Sequence, residues 1–197
     1  MKEEMEITVK VTTDYETLKN VLEKQGFSIK EEYELNDIYM IEKNIPLREL
    51  SKLEVLKRCI LVRDIIGVKK VLLYKYKEYL ENGDIKRQGK IECPILDIQK
   101  AVLFMEAIFY KTLFKIHDKC IVFANNETEL VVQLVNNKYI FIELENTCQY
   151  VKKTYNSILE MKEELQKYNL PIDETNYFVK KAEIMLEEVL KKGEIVK

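Results

Sequence analysis

The N-terminal segment from Glu4 to Val11 alternates strictly between polar and apolar residues. A period of two residues predicts a β-strand with one buried face and one charged face. Similar patterns predict further strands at residues 28–42, 59–66, 69–79, 85–95, 108–117, 120–124, 130–135 and 139–145. We expect about eight strands in all, with tight turns near Gly67 and at Asn82-Gly83.

Capping residues indicate where helices begin and end. Asp14 is a suitable N-cap for a first helix, which Gly26 would end, and Asp97 is a suitable N-cap for a second helix. The C-terminal part is predicted to be helical in two segments, 150–168 and 175–190.

The last predicted helix has an apolar stripe along one side. Asp173 or Thr175 is expected to cap this helix. The stripe consists of Ala182, Met185, Leu186 and Val189. It predicts packing on the barrel, and a surface for a partner or a homodimer contact is the alternative.

The number of short strands determines the expected fold class. Many antiparallel strands joined by tight turns are typical of a barrel or a sandwich. The 197 residues, of which 47% are hydrophobic, are sufficient for a sizeable core. We therefore predict a single α+β domain spanning residues 1–197. Its core would be an antiparallel β-barrel of about eight strands, with helices packed outside and a helical C-terminus.

Composition and charge exclude several classes of partner. Charged residues make up 34% of the chain, but the formal net charge is only -2, so there is no general basic field for nucleic acid. No apolar run is long enough for a membrane helix. The four cysteines have no metal-binding spacing, and the N-terminus has no apolar signal segment. We expect a cytoplasmic protein with reduced thiols and no membrane or nucleic-acid partner.

Most predicted strands carry charges within apolar stretches. They are Glu4, Glu6, Lys10, Arg63, Lys75, Lys77, Lys90, Glu92, Lys115, His117, Lys119, Glu143 and Glu145. A sheet with one solvated face would explain this alternation. Alternatively, the charged faces converge inside a barrel. Such a barrel has to hold water, metal ions and anions, because unpaired charges are not stable in a dry interior.

Short motifs containing these charges follow one another along the chain. They are Glu6-Ile7-Thr8-Val9-Lys10, Asp37-Ile38-Tyr39-Met40, Ile60-Leu61-Val62-Arg63, Leu72-Leu73-Tyr74-Lys75, Lys90-Ile91-Glu92, Lys115-Ile116-His117 and Phe141-Ile142-Glu143-Leu144-Glu145. In type and order, this series resembles the E-x-E-x-K, D-x-Y-F, L-R-I-R, L-T-Y-K, R-x-E, K-x-R and F-V-E-I-E elements of the CYTH superfamily, the triphosphate tunnel metalloenzymes. That family includes a class of adenylyl cyclase, thiamine triphosphatase and inorganic triphosphatases.

The resemblance implies a barrel that binds a small-molecule triphosphate together with Mg²⁺ or Mn²⁺, hard cations that take oxygen ligands. The implied metal ligands are Glu6, Glu143 and Glu145, with Glu4 and Glu92 as further candidates. The implied phosphate-binding residues are Lys10, Arg63, Lys75, Lys77, Lys90, Lys115 and His117. The alternative interpretation of His117 is a polar residue close to a turn.

Several positions depart from the family motifs. Thr8 replaces a carboxylate, Leu61 and His117 replace arginines, Gln133 occupies a position often held by Asp, and Tyr139 replaces a small residue. A lost carboxylate weakens a site for a hard cation. Lost arginines remove bidentate phosphate contacts. Binding of a phosphate compound is therefore expected to survive these changes better than catalysis.

Three functional hypotheses remain open from the sequence. The first is a metal-dependent triphosphate-binding protein that hydrolyses the terminal phosphate, with adenylyl cyclase as the alternative reaction. The second is a degenerate barrel that binds a nucleotide or phosphorylated ligand without turnover. The third is an unrelated β-protein that acts as an interaction module, with its charges scattered over the surface.

Overall fold

The structure is a computed structural model and describes residues 5–79 and 85–192. Its strands are β1 (Glu6–Lys10), β2 (Ser28–Glu42), β3 (Ile60–Ile65), β4 (Lys69–Tyr79), β5 (Ile85–Pro94), β6 (Tyr110–Ala124), β7 (Glu129–Val135) and β8 (Tyr139–Glu145). Its helices are α1 (Tyr15–Lys24), α2 (Lys52–Lys57), α3 (Ile98–Ala107), α4 (Ile158–Gln166) and α5 (Lys181–Lys192).

The described strands form one eight-stranded sheet in the order β1-β8-β7-β6-β2-β3-β4-β5. This sheet and the helices confirm the predicted antiparallel α+β fold class. The described residues divide into two compact units, one formed by residues 35–79, 85–117 and 180–192, the other by residues 5–34 and 118–179. We call them unit 1 and unit 2. The long strands β2 and β6 contribute residues to both.

Unit 2 has a hydrophobic core on one face of its strands. Ile7 and Val9 of β1 and Ile142 of β8 are fully buried there. Leu18 of α1 and Leu165 of α4 are fully buried against them. Each such side chain contributes roughly 1.5–3 kcal/mol when removed from water. This burial fixes which face of each strand points toward the helices, and the polar residues of β1 and β8 point away from them.

The C-terminal segment of unit 2 provides β1 with a second neighbour. The amide of Thr8 donates to the carbonyl of Tyr177 at 3.0 Å, and the amide of Val179 donates to the carbonyl of Thr8 at 2.9 Å. The amide of Asp173 donates to the carbonyl of Lys10 at 2.8 Å. Strand β1 is therefore paired on one side with β8 and on the other with this segment.

Unit 1 repeats the separation of an apolar face from a charged one. Met40 of β2 and Val62 of β3 form a small core with Ala101 and Met105 of α3. The residues that alternate with them in β2 and β3 point to the opposite face of the sheet. Arg63 lies on that opposite face.

Two other elements of unit 1 lie side by side. Lys52 of α2 forms an ion pair with Glu187 of α5 at 3.0 Å. Met185 and Leu186 of α5 are buried, so this part of the apolar stripe packs inside the unit, as its helical spacing predicts.

Several predicted boundaries need correction. Residues 108–117 and 120–124 form the single strand β6 rather than two strands. Helix α4 begins at Ile158 rather than at residue 150, and α5 begins at Lys181 rather than at 175. Helix α2 was not predicted at all. The predicted turn at residues 82–83 lies outside the described residues.

The four cysteines are free thiols, as expected: Cys59 and Cys120 are buried, Cys148 is half-buried and Cys93 is exposed. In the part of the chain that the structure describes, no helix is both long enough and apolar enough to span a bilayer.

Candidate functional site

The pairing of β1 with β8 brings acidic residues together on the face opposite the core of unit 2. Glu6 lies directly across from Glu145, and Thr8 lies directly across from Glu143. Directly opposite residues of an antiparallel pair project to the same side. Lys10 is on this face as well, and its Nζ lies 5.9 Å from the centre of the Tyr139 ring.

This face borders a cavity of about 260 Å³ in unit 2. Its lining consists of Glu31, Tyr33, Val122, Glu129, Val131, Glu143, Glu145 and residues 147–149. Four of these side chains are carboxylates and none is a cation. Such a lining favours a positively charged ligand, because each carboxylate is disfavoured by its like-charged neighbours.

Tyr33 provides the cavity with a neutral donor. Burial raises the pKa of its phenol far above the ordinary value, and the nearby Cys120 thiol and the charges of Glu143 and Glu145 raise it further. Tyr33 therefore stays protonated at neutral pH, so its hydroxyl can donate a hydrogen bond.

Two of the four carboxylates hold the loop that follows β8. Glu129 accepts hydrogen bonds from the amides of Gln149 at 2.9 and 3.0 Å and of Tyr150 at 2.5 Å. Glu31 accepts one from the Tyr150 hydroxyl at 2.9 Å. These contacts assign Glu129 and Glu31 to loop placement. The other two lining carboxylates, Glu143 and Glu145, are neighbours on one face of β8.

Gln133 adds a neutral oxygen beside Glu143. Its Nε2 donates to Glu143 Oε2 at 3.2 Å. Its Oε1 is buried and accepts no hydrogen bond from the described residues. A buried amide oxygen next to a carboxylate suits a hard cation such as Mg²⁺ or Mn²⁺ in chemical type.

The described residues do not form a preassembled metal cage. Among them, no three carboxylate, thiol or imidazole groups stand together in a way that could hold an ion. Mg²⁺ commonly binds through one or two carboxylates, with waters and ligand phosphates completing its coordination. The residues therefore fit an ion that arrives with a phosphate ligand.

Unit 1 contains a buried ion pair between two neighbouring strands. Asp37 of β2 is 3% exposed and lies directly across from Arg63 of β3. Arg63 Nε and Nη2 donate to the two Asp37 oxygens at 2.6 Å each. This fork uses two of the five guanidinium N–H groups and fixes the plane of the guanidinium.

Two lysines face each other on the same side of unit 1. Lys75 of β4 lies directly across from Lys90 of β5. Directly opposite residues of an antiparallel pair project to the same side, so the two ammonium groups share one face of the sheet. Glu92 is also in β5 but pairs with Lys69 at 2.6 Å, and this contact lowers the pKa of the Glu92 carboxyl.

Some candidate residues lie outside both the acidic cluster of unit 2 and the cluster of Arg63, Lys75 and Lys90 in unit 1. Lys115 is exposed and alternates along β6 with the buried Phe114 and Ile116. The Phe114 ring stacks on Tyr39 at 4.5 Å, on the sheet face that carries Asp37 and Arg63. Lys115, and His117 two residues later, therefore point to the opposite face from Arg63. Glu4 and the side chain of Lys77 lie outside the described part of the chain.

Two positions that depart from the family motifs lie next to these clusters and reduce the number of charged groups in them. Thr8 is 6% exposed and presents a hydroxyl where a second carboxylate would face Glu143. Leu61 is buried directly across from Leu73, which gives the Arg63 face an apolar patch in place of another guanidinium.

Sequence reasoning missed the contribution of β2 and β7 to the cavity. Glu31, Tyr33 and Glu129 line it but were not candidates. The alternation of Glu31, Tyr33 and Leu35 along β2 was the available signal.

Comparison with solved structures defines the fold. A candidate adenylyl cyclase from Hippeastrum with a dominant triphosphatase activity matches with a TM-score of 0.58 and 12% identity, covering 99% of this chain and 98% of that one. A candidate adenylate cyclase from Vibrio parahaemolyticus matches with a TM-score of 0.57 and 12% identity, covering 94% and 98%. The chain therefore has the fold of these solved structures.

Another solved structure shares this fold. A protein of unknown function from Pyrococcus furiosus matches with a TM-score of 0.63 and 19% identity, covering 92% of this chain and 99% of that one. No protein-family model matches the chain, and no curated protein does. At these identities the likeness establishes the shared fold and leaves activity to be argued from the residues.

Proposed function

We propose that the protein binds a triphosphate-containing compound together with Mg²⁺ or Mn²⁺. The observation that carries the proposal is the acidic face of β8, where Glu143 and Glu145 line the cavity and Glu6 of β1 lies directly across from Glu145. Neighbours of the same fold described as adenylyl cyclases, one with triphosphatase activity, support this ligand class. The bound ion would supply charge neutralisation for the phosphate oxygens.

The proposed division of roles follows the two clusters. Glu143 and Glu145 would hold the ion, with Glu6 and the Gln133 oxygen as further ligands. Within unit 1, taken by itself, Arg63, Lys75 and Lys90 are candidate phosphate contacts, and Asp37 would keep the guanidinium of Arg63 oriented. Lys10 is a further candidate cation, and Glu92 is a weaker metal candidate because Lys69 neutralises it.

Two outcomes for the bound ligand are chemically distinct. In the first, water hydrolyses the terminal phosphate, or a ribose hydroxyl attacks the α-phosphate as in a cyclase. In the second, the ligand is bound without turnover. Thr8 and Gln133 favour the second outcome, because both replace a negative charge beside Glu143 with a neutral group.

Calorimetric titration combined with a phosphate-release assay tests the proposal. Wild-type protein would be titrated with tripolyphosphate, thiamine triphosphate and ATP, each with Mg²⁺, with Mn²⁺ and with a chelator. We expect binding that requires the metal. Phosphate release assigns hydrolysis, cyclic AMP assigns a cyclase, and binding without either product assigns a sensor. Absence of binding to all three ligands would refute the proposal.

Restoring a carboxylate at position 8 is a second test. Thr8→Glu places a second negative charge directly across from Glu143. We expect Mn²⁺ affinity to rise about ten-fold because hard cations depend on ligand charge, and metal-free stability to fall because of the new repulsion. Asn20→Glu, at an exposed position of α1 in the same unit, is the control and should change neither quantity. Unchanged Mn²⁺ affinity in Thr8→Glu would mean that position 8 does not contribute to the site.

A further inference from the structure

Helix α3 is apolar on the side that faces away from its own core as well as on the side that faces it. Ala101 and Met105 pack into unit 1, whereas Leu103 and Phe104 are 63% and 60% exposed. Large apolar side chains grouped on an exposed face commonly mark a contact with another surface. The exposed apolar side chains on the outer face of α3 therefore suit it to contact with another surface.

The residues that flank α3 extend this exposed surface. Leu96, just before the helix, is 97% exposed, and Ile108 and Phe109, just after it, are 46% and 71% exposed. We call Leu96, Leu103, Phe104, Ile108 and Phe109 the α3 patch. All of its members belong to unit 1.

Phe109 occupies a backbone conformation that normally selects glycine. Its φ is 70°, in the left-handed region, at the position just after the C-cap residue Ile108. Glycine is the usual residue there, and a bulky side chain costs roughly 1–2 kcal/mol. Backbone strain of this kind is found mainly where a side chain has a function at the surface. A 71%-exposed phenyl ring provides no compensating burial within the monomer.

The size of the patch matches half of a dimer interface. The two phenylalanines alone expose roughly 260 Å², taking about 200 Å² for a full aromatic side chain. With Leu96, Leu103 and Ile108 the total is on the order of 600 Å², at the upper end for a monomer and close to the roughly 800 Å² per partner of a stable interface.

We propose that the α3 patch is the interface of a homodimer in which two α3 helices pack antiparallel around Leu103. Lys100 and Glu106 lie three residues before and after Leu103, about 4.5 Å along the axis in each direction. In an antiparallel arrangement, Lys100 lies at the same height along the helix axis as the partner's Glu106. In a parallel arrangement, each of these residues would lie at the same height as its own like-charged copy. The patch is thus complementary to itself in charge as well as in apolar character.

Sedimentation velocity with a matched pair of variants tests this interface. Wild-type protein at 5–100 µM should sediment at about twice the 23.5 kDa chain mass. Leu103→Glu should be monomeric at all of these concentrations. Leu159→Glu is the control: Leu159 is a leucine of α4 with 64% exposure, and its variant should remain dimeric. Far-UV circular dichroism establishes that both variants are folded.

Two further variants separate association from folding. Lys100→Glu should weaken the dimer about ten-fold, and adding Glu106→Lys should restore it, since the swap recreates opposite charges at each level. Phe109→Gly should weaken the dimer while leaving monomer thermal stability equal or higher, because glycine relieves the left-handed strain. If Phe109 had a purely structural role, Phe109→Gly would lower the thermal stability of the monomer instead.

Three results would overturn the proposal. The first is a wild-type protein that is monomeric at 100 µM. The second is a Leu103→Glu variant that dimerises as tightly as the wild type. The third is a monomeric wild type that co-sediments with phosphatidylcholine vesicles, which would assign the α3 patch to a lipid surface.

Discussion

Replacing Asp37 by alanine is expected to lower the free energy of unfolding by about 3–5 kcal/mol. The substitution leaves Arg63, whose side chain is 20% exposed, without the carboxylate that accepts two of its hydrogen bonds. Breaking a buried pair by removing one partner is costly because the remaining charge is uncompensated. Urea unfolding monitored by circular dichroism measures the change. Asp64→Ala, one position along β3 on the other face, is the control and should cost less than about 1 kcal/mol.

A double substitution separates the structural role of this pair from its proposed role in binding. Asp37→Leu combined with Arg63→Met replaces the pair with apolar groups and should recover most of the stability lost in Asp37→Ala. The same variant should bind tripolyphosphate at least ten-fold more weakly, because the guanidinium is gone. Recovered stability with undiminished ligand affinity would remove Arg63 from the site.

Replacing Glu164 by alanine is expected to have the second-largest effect, about 2–3 kcal/mol of lost stability. Glu164 of α4 is 2% exposed. Its oxygens lie 2.7 Å from Lys153 Nζ and 2.6 Å from Lys167 Nζ, and it accepts a hydrogen bond from the Thr128 hydroxyl. The cost is below that of a fully buried pair because the side chains of Lys153 and Lys167, 28% and 58% exposed, can turn toward water. Glu163→Ala, on the exposed side of the same helix, is the matched control.

The pH dependence of this effect has a definite sign. Burial of Glu164 favours the neutral acid, but the hydrogen bonds from Lys153, Lys167 and Thr128 outweigh it and lower the pKa of the carboxyl. A group with a lowered folded-state pKa stabilises the protein above its unfolded pKa and loses that contribution as pH falls through the folded value. The stability difference between wild type and Glu164→Gln should therefore be full at pH 7 and shrink below about pH 4. A difference that grows on acidification would contradict this account.

Alternation along the chain was sufficient to predict much of the sheet. Strands β2, β4 and β8 have the predicted bounds. Strand β6 was divided in the prediction because the adjacent polar residues Asp118 and Lys119 suggest a turn. In the structure Asp118 is buried in a continuous strand.

The C-terminal boundaries were mispredicted because capping residues serve other purposes there. Asp173 accepts hydrogen bonds from the amide and hydroxyl of Thr175, a local turn that starts no helix. The surrounding segment pairs with β1 instead. Helix α2, by contrast, had a usable signal: Ser51 and Glu54 form a capping box.

The sequence was sufficient to predict which strand face carries the candidate site residues, but not which of their side chains contact one another. The spacing of Glu143 and Glu145 places them on one side of a strand, and the pairing with β1 adds Glu6 and Thr8. That Gln133 donates to Glu143 depends on the register between β7 and β8, which no local pattern encodes. The opposite orientation of Lys115 likewise depends on which face of β6 packs against the ring of Tyr39.

The most direct test of the proposed function is the metal dependence of tripolyphosphate binding in Glu143→Gln, measured by calorimetry with Mg²⁺ and with a chelator. Glu127→Gln, at an exposed turn position, is the control. We predict that Mg²⁺ tightens tripolyphosphate binding at least ten-fold in wild type and in Glu127→Gln, and that Glu143→Gln loses this enhancement. Full enhancement in Glu143→Gln, or none in the wild type, would contradict the proposal that the acidic face of β8 holds the ion.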